Sequence, residues 1–393
     1  MSALDIFNRC HLHGVLSRRV GVIGGGQLGM MLTEAARNLK DDISGVTVLD
    51  PVADCPAKQV GAEQIVGGFR SNDAITKLAS CSDVITYEIE SGDSDALAAL
   101  DAEIHPSPET LRTIQDKLLQ KQFLRGNGVP VADFAEVSSW SDLDDLVRNF
   151  GYPYMLKARR DGYDGRGNAY VDSHDSARSA FSRFGDAPLM LERIVDFVME
   201  VSVVAARSTT GEIAAYPLVE NIHKDGILRM TVAPARITDD VARKARSVAL
   251  HIMDLFGDSG VFGIEMFVTN DHDILVNEIA PRVHNSGHHT LQSSDTSQFE
   301  QHLRAVLGLK LGSTRLRRPT IMCNLLGPEG YAGEYAVSKH SEPDVHLKMY
   351  GKRGSKPKRK LGHFNVTGDG DTTMEQLFKR ACSLSESIRI IPV

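Results

Sequence analysis

Two glutamates offer the clearest chemistry in this sequence. Glu265 lies in the apolar run VFGIEMFV and Glu278 in ILVNEIAPR, with the polar turn TNDHD between them. Both sit equally far from the middle of that turn. If the runs pair as a hairpin, the carboxylates fall opposite or diagonal on one face. Like charges across a ladder destabilise it, and burying an unpaired carboxylate is costly. A hard divalent cation shared with phosphate oxygens would relieve both costs. The plain structural alternative is that one glutamate faces water, or that each pairs with an arginine.

Just downstream, Asn277, Glu278, Arg282, His284, Asn285, Ser286, Gly287, His288 and His289 follow an apolar strand. Arginine grips planar or tetrahedral oxyanions, and so many polar groups beside a strand rarely serve packing alone. A structural polar network is the competing account. Upstream, Lys157 ends an apolar strand before Asp161-Gly162-Tyr163-Asp164-Gly165-Arg166-Gly167-Asn168. Glycine amides can wrap phosphates while a lysine supplies the point charge. The spacing is not that of a Walker A loop, so it reads as a phosphate lid rather than a surface hairpin. Gly24-x-Gly26-x-x-Gly29 follows a strand and opens a helix, with Asp50 closing the next strand, as in dinucleotide-binding turns. A tight βαβ turn, or a site for another phosphate, fits it equally well.

The elements that must position these residues follow from periodicity. From Val20 to Glu90 short strands alternate with helices, which implies a parallel, doubly wound sheet. Residues 107–128 read as one or two helices, 152–159 as a strand, and 237–257 as a long amphipathic helix. After Arg318 short runs with many glycines suggest a small β-rich terminal domain. The 393 residues are 42% hydrophobic with a net charge of −7, which gives a globular chain without a nucleic-acid footprint. One basic run, KRGSKPKRK, stands at 352–360. Cys10, Cys55, Cys81, Cys323 and Cys382 are scattered with no CxxC pair, so neither zinc site nor disulfide framework is expected. No apolar stretch is long enough for a membrane span, and a cytoplasmic location is expected.

Taken in order, GGGQLG, TYEIE, QDK, Lys157 with GYDGRGN, NIHKDGILR, GIEMF, NEIAPRVHNSGH and YGK…RKLGH closely resemble the 5-(carboxyamino)imidazole ribonucleotide synthetase family of ATP-grasp enzymes. Met30, Glu220 and Val283 depart from its usual pattern. The resemblance implies an α/β (α+β overall) ATP-grasp fold: a tail at 1–19, a Rossmann-like domain at 20–112, an ATP-grasp domain at 113–312 with a lid near 120–190, and a small β-rich domain at 313–393. It implies ATP-dependent carboxylation of aminoimidazole ribonucleotide by bicarbonate through carboxyphosphate, in purine biosynthesis, with ATP and Mg²⁺.

On that resemblance Glu265 and Glu278 hold the metal, while Lys117 and Lys157 reach the phosphates. Gly162, Gly165, Gly167 and Asn168 close over them. Glu192, Val195, Glu200, His223 and Asn277 join the nucleotide pocket. Arg282, His284, Asn285 and Ser286 face bicarbonate and substrate, and Tyr163, Asp164 and Arg166 orient the reacting groups. Gln27 and Glu88 touch the ribonucleotide, and Lys352, Arg359 and Lys360 grip its 5′-phosphate. A homodimer is expected by resemblance, as is a functional or fused link to a mutase domain for which this chain has no room. Another ATP-grasp carboxylase or ligase, an NAD-dependent dehydrogenase and a non-catalytic nucleotide sensor remain as alternatives.

Overall fold

The structure, a computed structural model, describes residues 17–162, 167–338 and 340–393. The apolar run after Arg19 forms strand β1 (Arg18–Ile23), followed by α1 (Gln27–Ala36), β2 (Ile43–Asp50), β3 (Glu63–Val66), α2 (Asn72–Ser80) and β4 (Val84–Tyr87). These strands make a parallel sheet in the order β3-β2-β1-β4. Val20, Val22 and Ile23 are fully buried, as expected for a parallel strand covered on both faces.

Residues 107–126 divide into α3 (Pro108–Gln115) and α4 (Lys117–Gly126). The break is Asp116, which takes extended backbone and accepts the Leu118 and Leu119 amides with its side chain. The same carboxylate binds Arg159 at 2.8 Å and Arg160 at 3.3 Å, tying α4 to the next unit. That unit is β5 (Phe134–Val137), α5 (Trp140–Phe150), β6 (Tyr154–Ala158), β7 (Asn168–Val171), α6 (His174–Phe184) and β8 (Leu189–Arg193). It is an antiparallel sheet ordered β5-β8-β6-β7, with its own apolar core around Tyr154, Leu156 and Leu191.

The largest sheet is built from β9 (Phe197–Arg207), β10 (Ile213–Ala215), β11 (Val219–Lys224), β12 (Ile227–Ala233), β13 (Gly260–Thr269) and β14 (Ile274–Ala280). Helix α7 (Asp239–Phe256) intervenes, and α8 (Gln298–Val306) follows. Helix α7 stops at Gly257, whose φ of 60° is left-handed, a common helix ending. Its Val241, Ala245, Ala249, Ile252 and Met253 share one core with Val203, Phe262 and Ile264 of the sheet. The chain then gives β15 (Thr320–Leu326), β16 (Tyr335–Val337), β17 (Val345–Met349), β18 (Lys360–Thr367), α9 (Met374–Ser387) and β19 (Ile390–Pro392). Strand β15 pairs with β12, so the sheet runs on as β14-β13-β9-β11-β12-β15-β18-β17. The β-rich terminal segment is therefore continuous with the central sheet, and it covers what would otherwise be an open edge at β12. Among the described residues no helix is long and apolar enough to cross a membrane.

Candidate active site

Strands β13 and β14 pair antiparallel with Glu265 opposite Glu278, and a bulge follows Glu265. The two carboxylates are therefore direct cross-strand neighbours. Glu278 has a partner: Lys117, at the first position of α4, lies 2.6 Å from its Oε2. This cation holds the Glu278 carboxyl below its ordinary range, whereas burial and the Glu278 charge push Glu265 up. One turn along α4, Gln120 fixes the backbone beside Glu278. It accepts the Ile279 amide at 2.9 Å and donates to the Ile279 carbonyl at 3.2 Å. Among the described residues no group of three or more His, Cys, Asp or Glu could hold a metal ion. Two facing carboxylates suit Mg²⁺, which takes one or two carboxylates and completes its shell with phosphates and water.

The lysine side lies against the β6 strand. Lys157 on β6 and Lys121 on α4 both bind Glu192 of β8, Lys121 at 2.6 Å. Burial alone would raise the Glu192 carboxyl, but Lys157 and Lys121 hold it at about 2. Glu192 was expected at the adenine or ribose. Here its two oxygens belong to two lysines, because a carboxylate 3% exposed needs a counter-charge. Glu200 on β9 pairs with His223 Nδ1 on β11 at 2.8 Å. Burial opposes protonation of His223, and Glu200 and Glu265 outweigh it. Asn168 stands opposite Lys157 in register, and its Oδ1 is buried without a hydrogen-bond partner. Val195 lies in the β8–β9 connection and Asn277 on β14, both half-buried. Gly167 takes a φ of +82°, and a Cβ there would stand 3.2 Å from the Gly162 Cα. Tyr163, Asp164, Gly165 and Arg166 lie outside the described residues.

On the other side of Glu265, the loop after β14 brings in the oxyanion-binding types. Arg282 Nη2 lies 2.8 Å from Glu90, Nη1 donates to the Val283 carbonyl, and Nε is buried without a partner. The His284 ring lies against Gly263, where a Cβ would meet the His284 Cβ at 2.5 Å. Its Nε2 is 3.3 Å from Glu265 Oε1. Burial, then the Arg282 charge, lowers His284 to about 3, so the ring is neutral. Gln298 on α8 clamps the His284 backbone, accepting its N–H at 2.9 Å and donating to its carbonyl at 2.6 Å. Asn285 Oδ1 accepts from Asn324 at 3.0 Å, and Ser286 is fully buried.

The glycine turn proves to be a carboxylate cradle. Glu88, at the end of β4, accepts the Gly26 amide at 2.5 Å and the Leu28 amide at 3.1 Å. A Cβ at Gly24 would lie 2.4 Å from the Glu88 side chain. Helix α1 has no side-chain cap of its own, and Glu88 supplies one from 60 residues away. The amides that would hold a pyrophosphate are thus occupied, which removes the dinucleotide alternative. Glu88 is 6% exposed and both its oxygens accept backbone amides, so the expected contact with the ribonucleotide would have to displace one of them. Gln27, the first residue of α1, remains half-buried beside it.

Burial raises the Glu88 carboxyl to about 7, against 4.5 for an ordinary glutamate. The folded state therefore binds an extra proton between these values, and stability falls as pH rises from 4.5 toward 7. Replacing Glu88 with Gln should flatten this part of the melting profile. A wild-type-minus-variant difference that grows with pH would contradict it.

The basic run divides. The Lys352 charge acts on Glu88, whereas that of Lys360 acts on Glu265, His223 and His284. Arg359 donates to the Arg353 and Gly354 carbonyls at 3.0 Å, shaping the loop between the two lysines. Lys121, Gln120, Glu90 and Gln298 were missed at the sequence level. Lys121 had a signal, since it lies one turn beyond Lys117 on the same helix face. The other three declare themselves only through contacts between distant segments.

Three family models match the chain: the ribonucleotide synthetase preATP-grasp domain at residues 17–115, the ATP-grasp domain at 122–299, and the phosphoribosylaminoimidazole carboxylase C-terminal domain at 320–377. The chain is 42% identical over 374 residues to phosphoribosylaminoimidazole carboxylase of Ogataea methanolica, covering 92% of this chain and 68% of that protein. It is 40% identical over 346 residues to N5-carboxyaminoimidazole ribonucleotide synthase of Bacillus subtilis, covering 88% and 90%. Its structure is similar to that of N5-carboxyaminoimidazole synthase from Aspergillus clavatus in complex with ADP and 5-aminoimidazole ribonucleotide. The TM-score is 0.85 at 37% identity, covering 94% of this chain and 98% of that one.

Proposed function

The chain belongs to the N5-carboxyaminoimidazole ribonucleotide synthetase family of ATP-grasp ligases, and from that premise we propose how its residues carry out the reaction. The activity is ATP-dependent carboxylation of the exocyclic amine of 5-aminoimidazole ribonucleotide by bicarbonate. The observation that carries this assignment to the site is the arrangement around Glu265 and Glu278: lysines on one side, a neutral histidine and an arginine on the other. That is a place where a phosphoryl group can pass from a nucleotide to a small oxyanion.

Bicarbonate is a poor electrophile and needs activation. Its oxygen attacks the γ-phosphorus of ATP, ADP leaves, and carboxyphosphate forms. The amine then attacks the carboxyl carbon, directly or as released carbon dioxide, and phosphate departs with the amine proton lost to solvent. Phosphoryl transfer depends on positioning and charge neutralisation. Glu265 and Glu278 would hold Mg²⁺, which when bound would supply neutralisation of the phosphate charge. Lys117 and Lys157, paired here with Glu278 and Glu192, would exchange these carboxylate partners for phosphate oxygens. Arg282, with its unpartnered Nε, would take bicarbonate, and His284, whose Nε2 lies 3.3 Å from Glu265, would stand beside it. Gly162 and Gly167, with the residues between them, would serve to cover the phosphates and keep water from carboxyphosphate. Glu200 with His223, the Val195 backbone and Asn277 line the nucleotide side. Gln27, Lys352 and Arg359 serve the ribonucleotide and its 5′-phosphate. The site asks for no nucleic acid or membrane. A homodimer, a cytoplasmic location and a partner mutase acting on the product are part of the proposal.

The test is phosphate release from ATP, which should require bicarbonate and rise with aminoimidazole ribonucleotide. Reduction of NAD with no ATP turnover would end this assignment. The divided basic run makes a finer forecast. Lys352→Ala should raise the KM for the ribonucleotide tens-fold or more and spare that for ATP, as expected for loss of one partner of a desolvated charge pair at about 2–5 kcal/mol. Lys360→Ala should act chiefly on kcat, because its charge reaches Glu265 and His284. Equal KM effects in both variants would reunite the two lysines on the phosphate.

A further inference from the structure

A file of buried side-chain hydrogen bonds crosses the central sheet and ends on His284. Thr231 on β12 donates to Asn221 Oδ1 at 3.2 Å. Asn221 on β11 donates through Nδ2 to Ser202 Oγ at 2.9 Å. Ser202 on β9 donates to Ser286 Oγ at 2.8 Å. Ser286 Oγ lies 2.8 Å from His284 Nδ1. Thr231, Ser202 and Ser286 are 0% exposed and Asn221 4%, so water cannot substitute for any member. A polar chain of this kind serves little purpose for stability alone, since an apolar replacement of the same shape is often as stable.

The direction of the file is set at Asn221, whose oxygen takes the Thr231 hydroxyl and whose amide N–H faces Ser202. With that N–H on the Ser202 oxygen, each hydroxyl downstream donates toward His284, and Nδ1 accepts. The backbone N–H of Ser286 also approaches His284 Nδ1, at a longer 3.4 Å, in agreement with a lone pair there. The ring's one proton falls on Nε2, which faces Glu265 Oε1. The hydrogen bond made by one ring nitrogen sets the state of the other. We propose that Asn221 and Ser202 are positioning residues that fix His284 as its Nε2–H tautomer, making it a hydrogen-bond donor to the developing oxyanion rather than a proton acceptor. The catalytic part of this assignment rests on the function given above; the tautomer does not.

The experiment uses the full chain with ¹⁵N-labelled histidine, free of metal and substrates, with the His284 signals assigned by their loss in His284→Gln. The wild type should show a protonated Nε2 and a bare Nδ1. Asn221→Asp offers Ser202 an acceptor in place of a donor, so the file should reverse, move the ring proton to Nδ1 and turn a lone pair toward Glu265. In turnover that variant should lose at least about tenfold in kcat, with the KM for ATP unchanged, on the scale of a lost oxyanion donor. Ser202→Ala cuts the file with a smaller change and should yield a mixture of tautomers; it decides the matter if Asn221→Asp does not fold. A change of tautomer in either variant supports the proposal. A wild-type ring protonated on Nδ1, or variants that both keep a pure Nε2–H ring, would overturn it. Because this readout needs no substrate, its failure leaves the carboxylation untouched. Absence of ribonucleotide-dependent ATP turnover would instead remove the function and leave the tautomer standing.

Discussion

Glu265→Gln and Glu278→Gln should each lower bicarbonate-dependent phosphate release by about 10²–10³-fold, the scale on which removal of one charge-stabilising group acts. On the proposed role both losses should stem from weakened Mg²⁺ binding, so raised Mg²⁺ should restore part of the rate. Their effects on the metal-free protein should differ. Glu265 bears the repulsion of Glu278, and removing its charge relieves that repulsion. The melting temperature of Glu265→Gln without Mg²⁺ should hold or rise. Glu278 instead balances Lys117 at 2.6 Å, and its amide would leave that ammonium, 20% exposed, without its counter-ion. Glu278→Gln should therefore melt lower than wild type without Mg²⁺. The like-charge argument alone would make the two variants equal; the lysine breaks the symmetry. Thermal scans at pH 8 with and without Mg²⁺ decide this. Two variants that both melt far below wild type while binding Mg²⁺–ATP normally would make the glutamates structural.

Arg282→Ala should cost tens- to thousands-fold in kcat/KM for bicarbonate while leaving ATP binding nearly unchanged. Two effects add. The guanidinium that would face bicarbonate is lost, and Glu90, held at 2.8 Å, keeps a charge without its partner. Truncating one member of such a pair costs about 2–5 kcal/mol. Arg282→Lys should recover little, because an ammonium cannot reproduce two parallel donors in a plane. Glu90→Gln should be milder than Arg282→Ala, since it frees the arginine but keeps its charge. Steady-state kinetics with bicarbonate varied at saturating ATP and ribonucleotide separates these outcomes. If Arg282→Ala weakens ATP binding as strongly as it weakens bicarbonate use, the residue belongs to the nucleotide side.

Much of the candidate site was legible along the chain because it is built from local rules. The facing of Glu265 and Glu278 follows from strand period two and their equal distance from one turn, and the ladder places them opposite one another. Lys157 at a strand end, the glycine loop after it, and the run from Arg282 to Ser286 are contiguous, so their order survives without a fold. The parallel sheet, the long helix α7 and the two-helix stretch before β5 came from hydrophobic spacing and caps, which are likewise properties of neighbouring residues.

What the tertiary structure decided is the charge state and partner of almost every site residue. Lys117 meets Glu278 across 161 positions, and Glu88 caps a helix 60 positions earlier. The file that orients His284 joins three strands and a loop. A sequence shows that a glycine turn can receive an anion, but not that the protein's own carboxylate already fills it. Nor does it show that a terminal β segment will pair with β12 and extend the central sheet. The reason is common to all of these. A side chain's type limits what it can bind, whereas its pKa, tautomer and hydrogen-bond direction depend on desolvation and on charges a few ångströms away, and only folding brings those charges from distant parts of the chain.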